Sequence, residues 1–181
     1  MTNKGPFVVC IVGRKNSGKT ELTVGLGAEL NRRGYRVMTA KHAHGFQMDH
    51  PGRDSWRHRH EGGALRTVLA CPSDFAVVGQ WPAEEMPLSE LVELFLRDAD
   101  IVLAEGFKTA PEPKVEVFRD APGSEPLFDP EELGASRTIA LVTDRSGVDV
   151  PIPLFDSREP EYLKELADFL EDSFLRGKRT P

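Results

Sequence analysis

With 181 residues, 29% of them charged and 39% hydrophobic, the chain has the make-up of one globular domain that buries about 70% of its unfolded surface. A net charge of −6 argues against a general nucleic-acid binder, so any anionic ligand must be held by a local basic site. The first apolar run is too short for a signal peptide and nothing approaches the ~20 residues of a membrane span, so a cytoplasmic protein is expected. Cys10 and Cys71 have no CxxC spacing, and both are expected to be buried free thiols.

The first element is a strand over Phe7 to Val12, which breaks at a glycine. Gly13 to Thr20 then reads Gly-Arg-Lys-Asn-Ser-Gly-Lys-Thr, a GxxxxGK[ST] phosphate loop placed between a strand and a helix as that motif requires. Gly13 and Gly18 lack Cβ atoms, so the backbone can bend tightly and bring successive N–H groups up to a polyphosphate. The expected cradle comprises Gly13, Lys15, Asn16, Ser17, Gly18, Lys19, Thr20 and Glu21, at the start of a helix whose dipole favours an anion. Lys19 should reach the β and γ phosphates and the Thr20 hydroxyl should ligate Mg²⁺. Lys15 adds a charge that either assists phosphoryl transfer within a dimer or simply attracts phosphate.

Leu22, Leu26 and Leu30 make one apolar helical stripe, Gly34 suits its C-terminal cap, and Arg36 to Lys41 forms a second strand. Strand, helix and strand of this length make a βαβ unit with a parallel core. His42 to Gly63 holds all five histidines (His42, His44, His50, His58 and His60) and few residues able to fill a core, which suggests a surface segment beside the site. With no cysteine partner and no HxxxH spacing, these histidines fit polar or phosphate contacts better than a metal set. Arg53 is a candidate for an anionic ligand, a solvated charged face being the alternative. Thr67 to Ala70 and Asp74 to Val78 read as two short strands or a hairpin.

Leu88, Leu91, Val92 and Phe95 give helical spacing that ends near Arg97. Ile101 to Ala104 is a doubly covered strand, and Lys114 to Arg119 an alternating one. Pro122, Pro126 and Pro130 mark an irregular connection before a buried strand at Thr138 to Val142 and an extended edge at Ile152 to Phe155. A final helix from about Glu159 carries the apolar face Tyr162, Leu163, Leu166, Phe169 and Leu170. We expect one nucleotide-binding domain over residues 1–175, with 176–181 a basic tail.

A phosphate loop needs an acidic group across from its Thr, at the carboxyl end of a neighbouring strand. Asp100 and Glu105 flank the same apolar run, roughly 16 Å apart at 3.3 Å per residue. Glu105 stands at the carboxyl end and is therefore expected to hold the magnesium shell or position water, with Asp100 a cap or solvent-facing residue. The Asn-Lys-x-Asp guanine signature is absent, but Asp144 follows a buried strand where it could accept the guanine N1 and N2 protons.

Together the phosphate loop, Lys41-His42-Ala43-His44, Asp49-His50-Pro51-Gly52-Arg53-Asp54-Ser55, Glu105-Gly106-Phe107-Lys108 and Pro113-Lys114-Val115-Glu116-Val117 resemble the molybdopterin-guanine dinucleotide biosynthesis protein B family, MobB. The resemblance implies an α/β fold, a P-loop NTPase-type three-layer sandwich with a mostly parallel central sheet and a short antiparallel edge or hairpin. It also implies GTP and Mg²⁺ as cofactors, molybdopterin or molybdenum cofactor as a bound ligand, weak GTPase activity and a homodimer. The family is thought to assist guanine nucleotide attachment to the pterin beside a MobA-type guanylyltransferase. Carried over, it implies Lys19 and Thr20 on phosphate and magnesium, with Lys41, His42, Asp49, Asp54 and Ser55 on the ligand side and Glu105 and Lys108 close by; Asp49 then joins Thr20 and Glu105 as a magnesium ligand. Gly45 stands where a second histidine often follows in the family. The alternatives are a small-molecule or nucleotide kinase using the same loop, and a metal-delivery GTPase of the urease or hydrogenase accessory type.

Overall fold

The structure, a computed structural model, describes residues 5–43, 45, 49–121, 124–129, 131 and 137–176. His44, Pro122, Pro130 and the tail beyond Arg176 lie outside the described residues. In chain order the elements are β1 (Phe7–Val12), α1 (Lys19–Arg32), β2 (Val37–Lys41), α2 (Asp54–His60), β3 (Arg66–Ala70), β4 (Phe75–Gly79), α3 (Leu88–Phe95), β5 (Ile101–Glu105), β6 (Lys114–Phe118), β7 (Thr138–Thr143), β8 (Leu154–Asp156) and α4 (Tyr162–Leu170). A π-helical turn, Glu171–Leu175, continues α4. The chain clusters into two compact units, one running to His42 and resuming at Leu88, the other spanning Ala43–Pro87.

The first unit is built on a six-stranded sheet in the order β2-β5-β1-β6-β7-β8, parallel throughout. Alternation along the central strands sorts side chains to two faces. Val9, Ile11, Ile101 and Leu103 pack under α1 (Leu22, Leu26, Leu30) and α4 (Leu166, Ala167, Leu170). Cys10, Val12, Val102 and Ala104 face α3 through Leu88 and Val92. The result is the three-layer α/β sandwich expected, with β8, which follows Pro151 and Pro153, at the sheet edge.

Asp100 is not solvent-facing. It is 4% exposed, and its carboxylate accepts the Arg36 N–H at 2.8 Å, fixing the chain just before β2. Glu116 is a buried carboxylate on β6 that alternation alone would assign to a polar face. Its two oxygens accept the backbone N–H groups of Leu127 and Phe128 at 2.6 and 2.9 Å, tying an irregular segment to the sheet. Glu116→Ala leaves both amides without an acceptor and should cost about 2–4 kcal/mol, read by urea denaturation. Burial pushes the Glu116 carboxyl above its ordinary value of 4.5, so the folded state holds its proton more tightly than the unfolded chain. The stability margin of the wild type over Glu116→Ala should therefore narrow as pH rises past that value; a margin that widens contradicts the assignment.

The second unit holds α2 and an antiparallel hairpin of β3 and β4, registered Val68 to Val77 and Ala70 to Phe75. This hairpin is a separate two-stranded sheet. Cys71 is exposed, contrary to the expectation of a buried thiol, because it lies in the reversal between β3 and β4. α2 has no buried residue, and so has no apolar periodicity by which the sequence could announce it.

Candidate functional site

Three residues of the loop have positive φ: Gly13 at 147°, Asn16 at 62° and Gly18 at 96°. A Cβ on Gly13 would stand 2.3 Å from the Val117 carbonyl oxygen, so only glycine lets the loop leave β1 against β6. Gly18 caps α1 with no side-chain hydrogen bond to the first turn, the arrangement that leaves helix amides for an anion. The Ser17 hydroxyl, also in the loop, is buried and has no hydrogen-bond partner among the described residues.

These residues border a cleft of about 620 Å³ lined by residues 15–21 together with Glu105 and Arg119. Lys19 Nζ donates to the Arg14 carbonyl at 2.5 Å, across the loop. Burial lowers the Lys19 pKa, and the Lys108 and Lys41 charges add to that, while Glu105 opposes it. A bound polyanion would relieve the same strain.

The parallel register sets Lys41 and Ile11 beside Glu105, so three strand ends converge at one point. Thr20 Oγ1 donates to the Glu105 carboxylate, 3.1 Å from each oxygen, and Lys41 Nζ lies 3.0 Å from Oε1. A hydroxyl and a carboxylate held together at a phosphate loop are hard oxygen donors of the kind Mg²⁺ takes. His42 follows directly: its N–H donates to the Glu105 carbonyl at 2.9 Å, and its ring centroid is 5.4 Å from that of Phe107. Gly106 turns at φ 95°, 3.1 Å from the His42 carbonyl oxygen by the Cβ it lacks, and Lys108 follows in the same turn.

The first unit thus gathers Gly13, residues 15–21, Lys41, His42, Glu105 and Lys108 around the end of β1. Asp144, past β7, accepts the Asp120 N–H at 2.6 Å, with its second oxygen 4.0 Å from Arg119 Nε. Asp49, Arg53, Asp54 and Ser55 belong to the second unit. There Asp49 accepts Ser55 Oγ at 2.9 Å and Arg59 Nη2 at 2.8 Å, and Arg59 holds its carboxyl below the usual range. Asp54 opens α2, preceded by Arg53 in extended conformation. Among the described residues, no three His, Cys, Asp or Glu side chains converge to hold a metal ion.

Arg119 is the cleft residue that sequence reasoning missed. The rule that singled out Glu105, a residue at the carboxyl end of a strand beside β1, applies equally to β6.

A model of the family described as "Molybdopterin guanine dinucleotide synthesis protein B" matches residues 8–144. The chain belongs to the MobB family. The match runs from β1 to Asp144 and takes in both strand ends that carry Glu105 and Arg119. A Haemophilus influenzae relative called "Molybdopterin-guanine dinucleotide biosynthesis adapter protein" is 35% identical over 176 residues, 95% of this chain and 91% of that protein. An Escherichia coli relative of the same name is 33% identical over 157 residues, 85% of each chain. A solved structure titled "molybdopterin-guanine biosynthesis protein B (mobB)" superposes with a TM-score of 0.65 at 27% identity, covering 92% of this chain and 99% of that one. The Bacillus stearothermophilus MobB homologue has the same fold, with a TM-score of 0.64 at 23% identity and coverage of 91% and 98%. Among the described residues, no helix is long and apolar enough to cross a membrane.

Proposed function

We propose that this MobB-family chain binds GTP with Mg²⁺ at the phosphate-loop cleft and serves as an adapter in molybdopterin-guanine dinucleotide formation. In this role it works in the cytoplasm beside a MobA-type guanylyltransferase and receives molybdopterin or molybdenum cofactor. The observation that carries the nucleotide reading is the convergence of Lys19, Thr20 and Glu105 on one cleft at the start of α1. Magnesium, when bound, neutralises charge on the terminal phosphate oxygens. Thr20 and Glu105 would hold it, Lys19 would move from the Arg14 carbonyl to the phosphates, and the loop amides would orient the chain of phosphates. Among the described residues the cleft is lined by no glutamine to orient an attacking water, which fits slow hydrolysis. Family membership favours this accessory reading over the kinase and metal-delivery alternatives.

The test is dinucleotide formation by a MobA-type transferase supplied with molybdopterin and GTP, with and without this protein. Wild-type protein should raise the yield and Lys19→Ala should not; equal yields with both overturn the nucleotide-dependent adapter.

The homodimer is supported by the second unit. Val68, Leu69, Phe75 and Val77 of the hairpin are 64, 40, 76 and 39% exposed, apolar surface on a two-stranded sheet that is marginal alone. A second copy of the same hairpin would extend it to four strands. Phe75→Glu should therefore convert a dimer to a monomer in light scattering behind size exclusion; a dimer that persists moves the interface elsewhere.

A further inference from the structure

β1 lies between β5 and β6, so Glu105 and Arg119 leave the sheet on opposite flanks of the phosphate loop. At ~4.8 Å between neighbouring strands the two flanks lie roughly 10 Å apart across the sheet, and because Ile11 is level with both Glu105 and Val115, Arg119 also stands four residues, roughly 13 Å, further along the strand direction. Thr20 donates to Glu105 on one flank, and Mg²⁺ held there by these two residues would neutralise charge on the terminal phosphates of a nucleotide. The remaining phosphate and the nucleoside must then leave towards the other flank, where Arg119 stands, with Asp144 one strand further out.

The Arg119 guanidinium is placed for that part of the ligand. Nη2 is 3.2 Å from the point a Cβ would occupy on Gly18, so it overhangs the backbone that caps α1. It is held without being consumed: Asp144 Oδ2 is 4.0 Å from Nε, beyond hydrogen-bond distance, and the side chain is 58% exposed. A planar fork with no hydrogen bond to its donors among the described residues, beside helix amides and in a long ion pair with one carboxylate, suits the oxygens of a phosphate near the sugar.

We propose that Arg119 is a binding residue for the α-phosphate of a nucleoside di- or triphosphate, positioned by Asp144. The assignment rests on the nucleotide reading above and differs from an arginine that acts on the leaving phosphate. An α-phosphate contact is shared by GTP and GDP; a contact with the terminal phosphate is confined to GTP.

Fluorescent GTP and GDP analogues titrated against wild type, Arg119→Ala, Arg119→Lys and Asp144→Asn separate these cases. Arg119→Ala should weaken both nucleotides alike, by about 10–100-fold. Arg119→Lys should restore only part of the affinity, because the fork is lost, and Asp144→Asn should weaken both less than Arg119→Ala. Unchanged GDP affinity in Arg119→Ala overturns the proposal, as does a loss confined to turnover. A wild-type protein that binds neither nucleotide overturns the nucleotide reading as well, whereas normal binding by both wild type and Arg119→Ala overturns this proposal alone.

Discussion

Lys19→Ala is expected to weaken GTP binding by about a hundredfold, the worth of a charge-assisted contact of roughly 3 kcal/mol at a partly desolvated phosphate. Lys19 already bridges the loop to the Arg14 carbonyl, and its pKa is lowered by burial first and then by the neighbouring Lys108 and Lys41 charges. A triphosphate relieves that crowding, and Lys41 is already paired with Glu105. Because the side chain contributes no core contact, the melting temperature of the unliganded variant should stay close to that of the wild type. Equilibrium binding with a fluorescent GTP analogue checks the first expectation and thermal denaturation the second.

Gly13→Ala is expected to be the most damaging small substitution in the chain. The added methyl would lie 2.3 Å from the Val117 carbonyl oxygen and 2.6 Å from Ser17 Oγ, at a φ of 147° that L side chains rarely adopt. Ser17 can rotate away, but Val117 is backbone within β6, which pairs with β1 from Cys10 to Val12. The two strands must part or the loop must move, at a cost of about 3–5 kcal/mol and a fall of roughly 10 °C in Tm. Gly34→Ala supplies the control, since Gly34 also has positive φ, 89°, but nothing within 4 Å of the missing Cβ. Its cost should be near 1 kcal/mol, from backbone conformation alone. Equal losses at the two positions would show that the close approach to β6 is not what requires glycine at Gly13.

The parts of this protein that announce themselves in sequence are those whose physics is local. Phe7–Val12 followed by a glycine-bounded loop declares a strand, a phosphate cradle and a helix within one short stretch, and the structure has that order. A strand rise decides which end of Ile101–Ala104 can face a ligand and points to Glu105, whose carboxylate accepts the Thr20 hydroxyl. What stayed hidden depends on pairing between distant segments. Arg119 becomes a cleft residue only once β6 is known to lie beside β1. Glu116 looks like the polar position of an alternating strand until the Leu127 and Phe128 amides are seen to need its oxygens. The lack of CxxC spacing says that Cys71 is a free thiol but not that it is buried, and the turn that holds it keeps it in solvent. α2 was invisible because nothing on it is buried.

The electrostatics make the same distinction. The net charge of −6 makes the chain an unlikely partner for polyanions at large, yet Lys15, Lys19, Lys41, Lys108 and Arg119 are gathered by folding around the end of β1. Basic groups that are scattered in sequence become a candidate anion site only through the parallel sheet that brings their strand ends together.

The most direct test of the central claim is calorimetric titration of GTP and ATP into wild-type protein and Lys19→Ala, with Mg²⁺ and with a chelator. The account predicts saturable one-to-one binding of GTP, strengthened by Mg²⁺ through Thr20 and Glu105 and largely lost in Lys19→Ala. Binding that ignores both Mg²⁺ and the lysine, or no binding at all, would contradict it.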